Sequence, residues 1–431
     1  MVAKKNPGRR VFVVGVGMTP FTKPKKDPKE GPFFTTLGVE AVERALEDAC
    51  IKDERSLVES ACVGSMFTLG AGQRVLYDCG LYNIPTFNVN NACATGSNAL
   101  AIARQNVASG MADCALALGV EVMRPGSLGG GEANGPTSLD HHYKVLNDNY
   151  GLTKDPPMAQ FFGRAGEEHM KLYGTKPEHF AMIGEKNHRH SRNNPYSQFR
   201  DVYSLEQIQS SPKVCGPLTK LQCSPTSNGA ACAILASEDF VIKHGLQGQA
   251  IELVAQSVHS DSPEVFKSAE GKALIEAVGK SMAQKAAQDA YAEAGLTPDD
   301  VNVVELHDCF SCNELITYES LGLAKEGEGG KLIESGNATF GGKYVINPSG
   351  GLISKGHPLG ATGVAQCAEL CWQLRGECGP RQVPGAKVGL QHNLGLGGLV
   401  VIGLYRKPEE WVSIPPKRKQ SLACGAESSK L

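Results

Sequence analysis

The 431-residue chain lacks any uninterrupted apolar run approaching the roughly 18 residues that a membrane-spanning helix needs. It also lacks a dominant charge. The 43 lysines and arginines face 45 aspartates and glutamates, a formal net charge of −2, so the basic field of a nucleic-acid binder is missing. Two nucleotide motifs are absent as well. The strand-like opening Val11-Phe12-Val13-Val14 runs into Gly15-Val16-Gly17, but Pro20 stands where a dinucleotide fingerprint needs its third glycine. No G-x-x-x-x-G-K-[ST] phosphate loop occurs. These gaps remove most nicotinamide and nucleotide-hydrolysing functions. The start, Met1-Val-Ala-Lys-Lys-Asn-Pro7, has charge but no apolar core behind it, so a secretory signal is not expected.

Cysteine is present but thinly spread. Fourteen in a chain of this length are far below the density of a disulfide scaffold, and reduced thiols in an intracellular compartment are expected. Cys309 and Cys312 form the sole C-x-x-C pair, with no second pair or suitably spaced histidine cluster to complete a zinc site. No metal is expected.

What is there begins with 41% hydrophobic and 20% charged residues, a globular composition long enough for about three domain-sized units. The most informative stretch is Phe87-Asn-Val-Asn-Asn-Ala-Cys93-Ala-Thr-Gly-Ser-Asn-Ala-Leu100. A strand-like entry ends in two asparagines, and Cys93 opens a segment whose apolar residues Ala99, Leu100, Ile102, Ala103 and Val107 recur at helical spacing. A thiol at a helix start meets unpaired N–H groups and the positive end of the dipole, which favour its thiolate.

The chain also repeats itself. A helix over Val39–Ala49 and a strand near Leu57–Met66 are matched by a helix over Met282–Ala294 and a strand over Val301–Leu306, after the turn signal Thr297-Pro298-Asp299-Asp300. Each half then feeds a strand into a helix: Phe87–Asn90 before Cys93, and Tyr344–Asn347 before Gly356-His357-Pro358. Pro358 suits the first turn of a helix continuing through Leu374. Duplicated α/β halves aiming two helix starts at one cleft are the expectation. Between them, over residues 122–248, polar turns, Gly129-Gly130-Gly131 and His141-His142 suggest an inserted loop domain. Lys186 with His188-Arg189-His190 is a candidate anion contact there, set against the plainer alternative of a solvated face. The expected boundaries are 1–121, 122–248, 249–406 and an exposed tail at 407–431, with the opening residues of the third segment packing on the first.

Four segments carry a resemblance: Asn91-Ala-Cys93-Ala-Thr-Gly96, His307-Asp308-Cys309-Phe310, Gly356-His357-Pro-Leu-Gly-Ala-Thr-Gly363 and His392-Asn393-Leu394-Gly-Leu-Gly-Gly398. Together with Ser227-Asn-Gly-Ala-Ala231 they resemble the thiolase superfamily over residues 10–406. The His-Asp-Cys-Phe segment, in place of the usual Asn-Glu-Ala-Phe, and the missing Cys-x-Gly are similar to sterol carrier protein-2 type thiolases, which are peroxisomal. Too few residues follow Lys407 for a sterol carrier domain to be expected. The resemblance implies a duplicated α/β/α/β/α fold with an inserted loop domain. It also implies a homodimer and thiolytic cleavage of a 3-oxoacyl-CoA to a shortened acyl-CoA plus acetyl-CoA or propionyl-CoA. Coenzyme A is then a co-substrate, with no tightly bound cofactor.

The resemblance further implies roles. Cys93 is the nucleophile and His357 its base, His307 and His357 are donors to an enolate oxygen, and Cys309 is the second acid/base. The backbone N–H groups of Cys93 and Leu394 form a second oxyanion hole. His392 is the alternative second acid/base, and Asp308 is expected to orient a histidine or brace its loop. Cys312 is expected to be structural. The terminal Ser429-Lys430-Leu431 reads as a peroxisomal import address recognised by a receptor. Two other functions stay open: a condensing enzyme of the ketoacyl synthase or hydroxymethylglutaryl-CoA synthase kind, and a non-catalytic lipid-binding protein on the same fold.

Overall fold

The computed structural model describes residues 8–125, 137–267 and 271–417. The Gly129-Gly130-Gly131 run and the Ser429-Lys430-Leu431 tripeptide lie outside the described residues. Among those described, no helix is long and apolar enough to cross a membrane.

Ten strands form one mixed sheet. The first half contributes β1 (Val11–Met18), β2 (Ser60–Gly64), β3 (Thr86–Val89), β4 (Cys114–Glu121) and β5 (Gly229–Ser237). The second contributes β6 (Ile251–His259), β7 (Val303–Glu305), β8 (Val345–Ile346), β9 (Val388–Gly395) and β10 (Leu399–Arg406). The order β3-β2-β4-β5-β1 in one half is repeated as β8-β7-β9-β10-β6 in the other. In each, three strands run parallel and the last two antiparallel. The halves join where Phe12 and Val13 pair with Glu252 and Ile251.

The strands read as apolar runs because both faces are buried. Along β1, Val11 and Val13 face the central helices while Phe12 and Val14 face the outer helix α1 (Phe34–Asp48). In the second half, Val303 faces inward and Val304 outward, toward α5 (Lys280–Ala294). Sandwiched between the halves are α2 (Thr95–Ala108) and α7 (Thr362–Arg375), which pack on each other. Ala99, Leu100 and Ala103 of the one and Val364, Ala365 and Ala368 of the other fill that layer. The result is the duplicated α/β plan expected from the repeat, in the α/β/α/β/α layering that the resemblance implied.

The segment between the halves supplies α3 (Pro157–Tyr173) and α4 (Pro177–Ser191). Phe161, Phe162, Phe180 and Ile183 from them extend the outer core of the second half over α6 (Ser311–Ser320), through Leu315, Ile316 and Tyr318. Two expectations need correction. The chain re-enters the sheet at Gly229, because β5 lies between β4 and β1, so the inserted segment ends earlier than residue 248. Pro358 does not begin α7. Its carbonyl accepts the N–H groups of Ala361 and Thr362 in a separate turn, and the helix proper starts at Thr362.

The two central helix starts approach more closely than side chains would allow. A Cβ on Gly96 would lie 2.5 Å from the Gly360 carbonyl oxygen, and one on Gly363 would strike Ser97. A Cβ on Gly119 would strike the Gly360 oxygen and sit 2.8 Å from the Ala361 Cα. Both obstacles are backbone and cannot rotate away. Gly119→Ala is expected to destabilise the fold by about 1–3 kcal/mol through overpacking, read as a lowered midpoint in urea unfolding.

Candidate active site

Cys93 sits in a tight turn between β3 and α2. Ala92, before it, has φ of 48°, a left-handed conformation that costs a residue with a side chain energy. Thr95 holds the turn: its hydroxyl donates to the Ala92 carbonyl at 2.6 Å and accepts the Asn91 N–H at 2.8 Å. The half-buried Cys93 thus stands two residues ahead of the first residue of α2.

Opposite lies His357, carried by Gly356, whose φ of 114° requires glycine. The Ser227 hydroxyl accepts the His357 backbone N–H at 2.9 Å. Its ring Nδ1 lies 2.7 Å from the Thr362 hydroxyl, which itself donates to the Pro358 carbonyl at 3.0 Å. That single hydroxyl hydrogen is committed, so Nδ1 carries the imidazole proton and Nε2 keeps a lone pair. Nε2 is buried and has no hydrogen-bond partner among the described residues.

His307, at the end of the segment leading from β7, completes the cluster. The Cys93 sulfur and one ring nitrogen each of His307 and His357 all lie within 4.8 Å of one another. The two imidazoles meet edge to face with centroids 5.1 Å apart. Asn393 places its amide nitrogen 3.1 Å from the His307 Nδ1. On the same strand, the His392 Nδ1 accepts the His307 backbone N–H at 3.3 Å. Cys309 is buried near these groups, outside the tight triad but close enough to Cys93 that a thiolate at one disfavours a thiolate at the other. Leu394 is on β9, and a Cβ on the next residue, Gly395, would lie 3.1 Å from the Ala94 backbone nitrogen, so this strand end abuts the Cys93 turn.

Burial dominates the electrostatics. It pushes the Cys93 thiol up to about 12, against the smaller downward pull of its own backbone N–H. The expectation of a favoured thiolate is therefore corrected: desolvation outweighs the helix start, and Cys93 rests as a thiol. The same cause brings His357 and His392 down to about 3 and His307 well below its ordinary range. Burial raises Cys309 well above a free cysteine, with nearby Cys93 adding to it. The cluster is a set of thiols and imidazoles held toward their uncharged forms.

Comparison with known proteins gives the family. Residues 11–239 match the thiolase N-terminal domain, and residues 271–400 match the family described as thiolase C-terminal domain-like. Sterol carrier protein 2 of Homo sapiens is 57% identical over 400 residues, covering 92% of this chain and 72% of that one. This chain belongs to the thiolase family. Its fold also matches the dimeric peroxisomal thiolase of Saccharomyces cerevisiae, at TM-score 0.70 and 17% identity over 94% of this chain and 99% of that one. Human mitochondrial 3-ketoacyl-CoA thiolase in complex with CoA gives TM-score 0.66 and 21% identity over 93% and 98%.

Within this thiolase, other singled-out residues are structural. Among the described residues, Asp308 makes no hydrogen bond to a histidine. It accepts the Leu352 and Ile353 N–H groups at 2.6 and 3.2 Å and the Asn187 amide at 2.8 Å, bracing the turn that leads to His357. Burial, then neighbouring Glu314, lifts its carboxyl to about 8. Lys186 is not an anion contact: it is buried on Glu314 and donates to the Ile346 carbonyl at 3.0 Å. His188 and His190 bond to the Leu221 and Asn347 carbonyls, and exposed Arg189 pairs with Glu185. Cys312 is packed in the core against Gly166. Every cysteine among the described residues is a free thiol. Sequence reasoning passed over Thr362 and Asn393, which hold the two histidines. Both stood inside the quoted motifs, but their partners are distant in the chain.

Because burial pushes the Cys93 thiol up to about 12, its alkylation by iodoacetamide should climb steadily with pH and show no plateau near neutrality, since only the thiolate reacts. Rate against pH, with the labelled peptide identified by mass, checks this. A plateau at neutral pH would mean a thiolate-stabilising site instead.

Proposed function

We propose that this protein cleaves 3-oxoacyl-CoA with coenzyme A, giving a shortened acyl-CoA and acetyl-CoA, or propionyl-CoA from a 2-methyl substrate. The observation that carries the reading is the convergence of the Cys93 sulfur with ring nitrogens of His307 and His357 within 4.8 Å. Family membership and the thiolase relative crystallised with CoA support it.

The Cys93 thiol passes its proton to the His357 Nε2 lone pair as sulfur bonds to the 3-oxo carbon. The new alkoxide is met by the backbone N–H groups of Cys93 and Leu394, each hydrogen bond to such developing charge contributing about 3–4 kcal/mol. The alkoxide then re-forms a carbonyl, the bond between carbons 2 and 3 breaks, and its electron pair becomes a thioester enolate. His357, now bearing a proton on Nε2, and His307 donate to the enolate oxygen. Cys309 protonates carbon 2, releasing acetyl-CoA and leaving an acyl group on Cys93. Coenzyme A enters, gives its thiol proton to the Cys309 thiolate and attacks the acyl carbon. Cys93 departs as thiolate and recovers its proton from His357.

Burial suits this sequence: a neutral, desolvated site gains most when charge develops in it, because water does not compete for the donors. His392 supports geometry here, holding the His307 backbone N–H. The tail Ser429-Lys430-Leu431 delivers the protein to peroxisomes through an import receptor. A homodimer would cover the edge strand β3, where Phe87 is exposed, as are Phe67, Leu69, Tyr77 and Tyr82 in the preceding segment; the dimeric yeast relative supports that reading.

Mixing the protein with acetoacetyl-CoA and coenzyme A should consume the enolate absorbance, which neither a condensing enzyme set against cleavage nor a lipid carrier would do. Cys309→Ala should slow thiolysis by ~10²–10⁴-fold while still allowing slow transfer of an acyl group from a simple acyl-CoA to Cys93, located by peptide mass. His392→Ala should be milder. Near-normal thiolysis in Cys309→Ala with none in His392→Ala would reverse the two roles.

Deleting Ser429-Lys430-Leu431 should leave a fluorescently tagged chain in the cytosol. Import unchanged by the deletion would overturn the proposed address.

A further inference from the structure

His307 is useful as an oxyanion donor only if the hydrogen of its neutral ring is on Nε2, the nitrogen free to face the substrate. Nothing about histidine ensures that, since a neutral imidazole carries its proton on either nitrogen. A buried chain of hydrogen bonds fixes it. The chain starts at a backbone carbonyl, which only accepts. Gly363 receives the Gln391 side-chain amide nitrogen at 2.6 Å, so the other end of that amide is oxygen, and it accepts the Tyr405 hydroxyl at 2.5 Å. The same Gln391 nitrogen donates to the Ser97 hydroxyl oxygen at 3.0 Å.

With its oxygen occupied by that donor, Ser97 turns its one hydrogen to the Asn393 carbonyl oxygen at 2.9 Å. Asn393 therefore directs its NH₂ group toward the His307 Nδ1 at 3.1 Å. An amide nitrogen donates and cannot accept, so Nδ1 holds the lone pair and the hydrogen is on Nε2. Reversing Asn393 would leave the Ser97 hydrogen facing another donor, a cost of the kind paid by any buried unsatisfied group. Ser97, Gln391 and Asn393 are all buried, so water is not placed to relax the order.

We propose that Asn393 is a positioning residue that sets the tautomer of His307, with Ser97 and Gln391 fixing the direction of its amide. The same cleft thus holds two neutral histidines with opposite polarity. Thr362, accepting from Nδ1, makes His357 a base at Nε2; Asn393, donating to Nδ1, makes His307 a donor at Nε2. Ser97 lies on α2 of the first half, whereas Gln391 and Asn393 lie on β9 of the second, so the proton assignment depends on the two halves being docked. The value of this arrangement rests on the thiolytic reading above, but the tautomer itself does not.

The test uses the full chain with ¹⁵N-labelled histidine. In the wild type, the His307 Nδ1 should resonate in the unprotonated range and Nε2 in the protonated range, assigned by loss of the signals in His307→Gln. A His307 protonated on Nδ1 overturns the proposal, whatever the activity. If His307 has the expected tautomer and no thiolysis is seen, the thiolase reading falls and this inference stands.

Kinetics supply the second arm. Asn393→Asp keeps the shape but offers only acceptors, drawing the ring proton to Nδ1. Above neutral pH its thiolysis kcat should fall by ~10²–10⁴-fold, the scale of a tautomer error in an intact site, with KM little changed. The carboxylate also raises the pKa of His307, so activity should partly return as pH falls and both nitrogens become protonated. Asn393→Leu removes the constraint without reversing it and should lose less, with no acid recovery. A purely structural Asn393 predicts the opposite order, the near-isosteric aspartate being the gentler change. Equal losses, or an Asn393→Asp variant as active as wild type above neutral pH, would overturn the assignment.

Discussion

Two backbones approaching without side chains between them is the constraint on which the remainder of this thiolase depends. Cys93 and His357 belong to different halves, about 260 residues apart in the chain, and each stands just ahead of a central helix. Those helix starts can meet only because Gly96, Gly119, Gly360 and Gly363 leave room for carbonyls and a serine hydroxyl where Cβ atoms would be. Glu121 locks the contact. Its buried carboxylate accepts the Gly360 N–H at 3.0 Å from one half and the Met66 N–H at 2.9 Å and Ser65 hydroxyl at 3.1 Å from the other. Burial raises this carboxyl above its ordinary range while those donors pull it back. Dispersion and hydrogen bonding both favour the docked state, so the cleft is built as one rigid unit.

Closing the cleft this tightly has an electrostatic consequence. Desolvation drives each titratable group toward its neutral form: thiols upward, imidazoles downward. A site stripped of standing charge cannot assign roles by charge, and it assigns them by hydrogen-bond polarity instead. A threonine hydroxyl and an asparagine amide, each committed by its other partners, give two chemically identical imidazoles opposite hydrogen-bonding polarity. In the proposed reaction the charge that appears is confined to the reacting atoms and their proton partners.

The inserted segment contributes bracing to the same cleft. Lys186 and Asn187 on α4 reach Glu314 and Asp308, and Asp308 takes up two N–H groups of the π-helical turn Gly351–Lys355 that ends one residue before Gly356. Removing one member of such a buried network strands the others' charge or polarity, so it specifies one position for the turn more than it adds net stability. His357 is held between that turn and Thr362, and the segment between the halves is part of the machinery that positions it.

The sequence determined the duplicated α/β plan, the pairing of Cys93 with His357, and the family, because these are written in periodicity, in glycine-rich strand-to-helix turns and in motifs a few residues long. It also placed His307 and Cys309 beside them. It did not reveal where β5 returns to the sheet, since Gly229–Ser237 is as apolar as any connecting core segment and only its neighbours β4 and β1 identify it as a strand of the first half. Lys186, His188 and His190 looked like surface charge because a helix of polar residues conceals its partners, Glu314 and two backbone carbonyls, in distant elements. The thiol state of Cys93 and the proton positions on the histidines were likewise out of reach of the sequence. A helix start acts within a few residues and is visible in the chain, but desolvation and hydrogen-bond direction depend on what the folded molecule packs around each atom, and that is decided only when the two halves close.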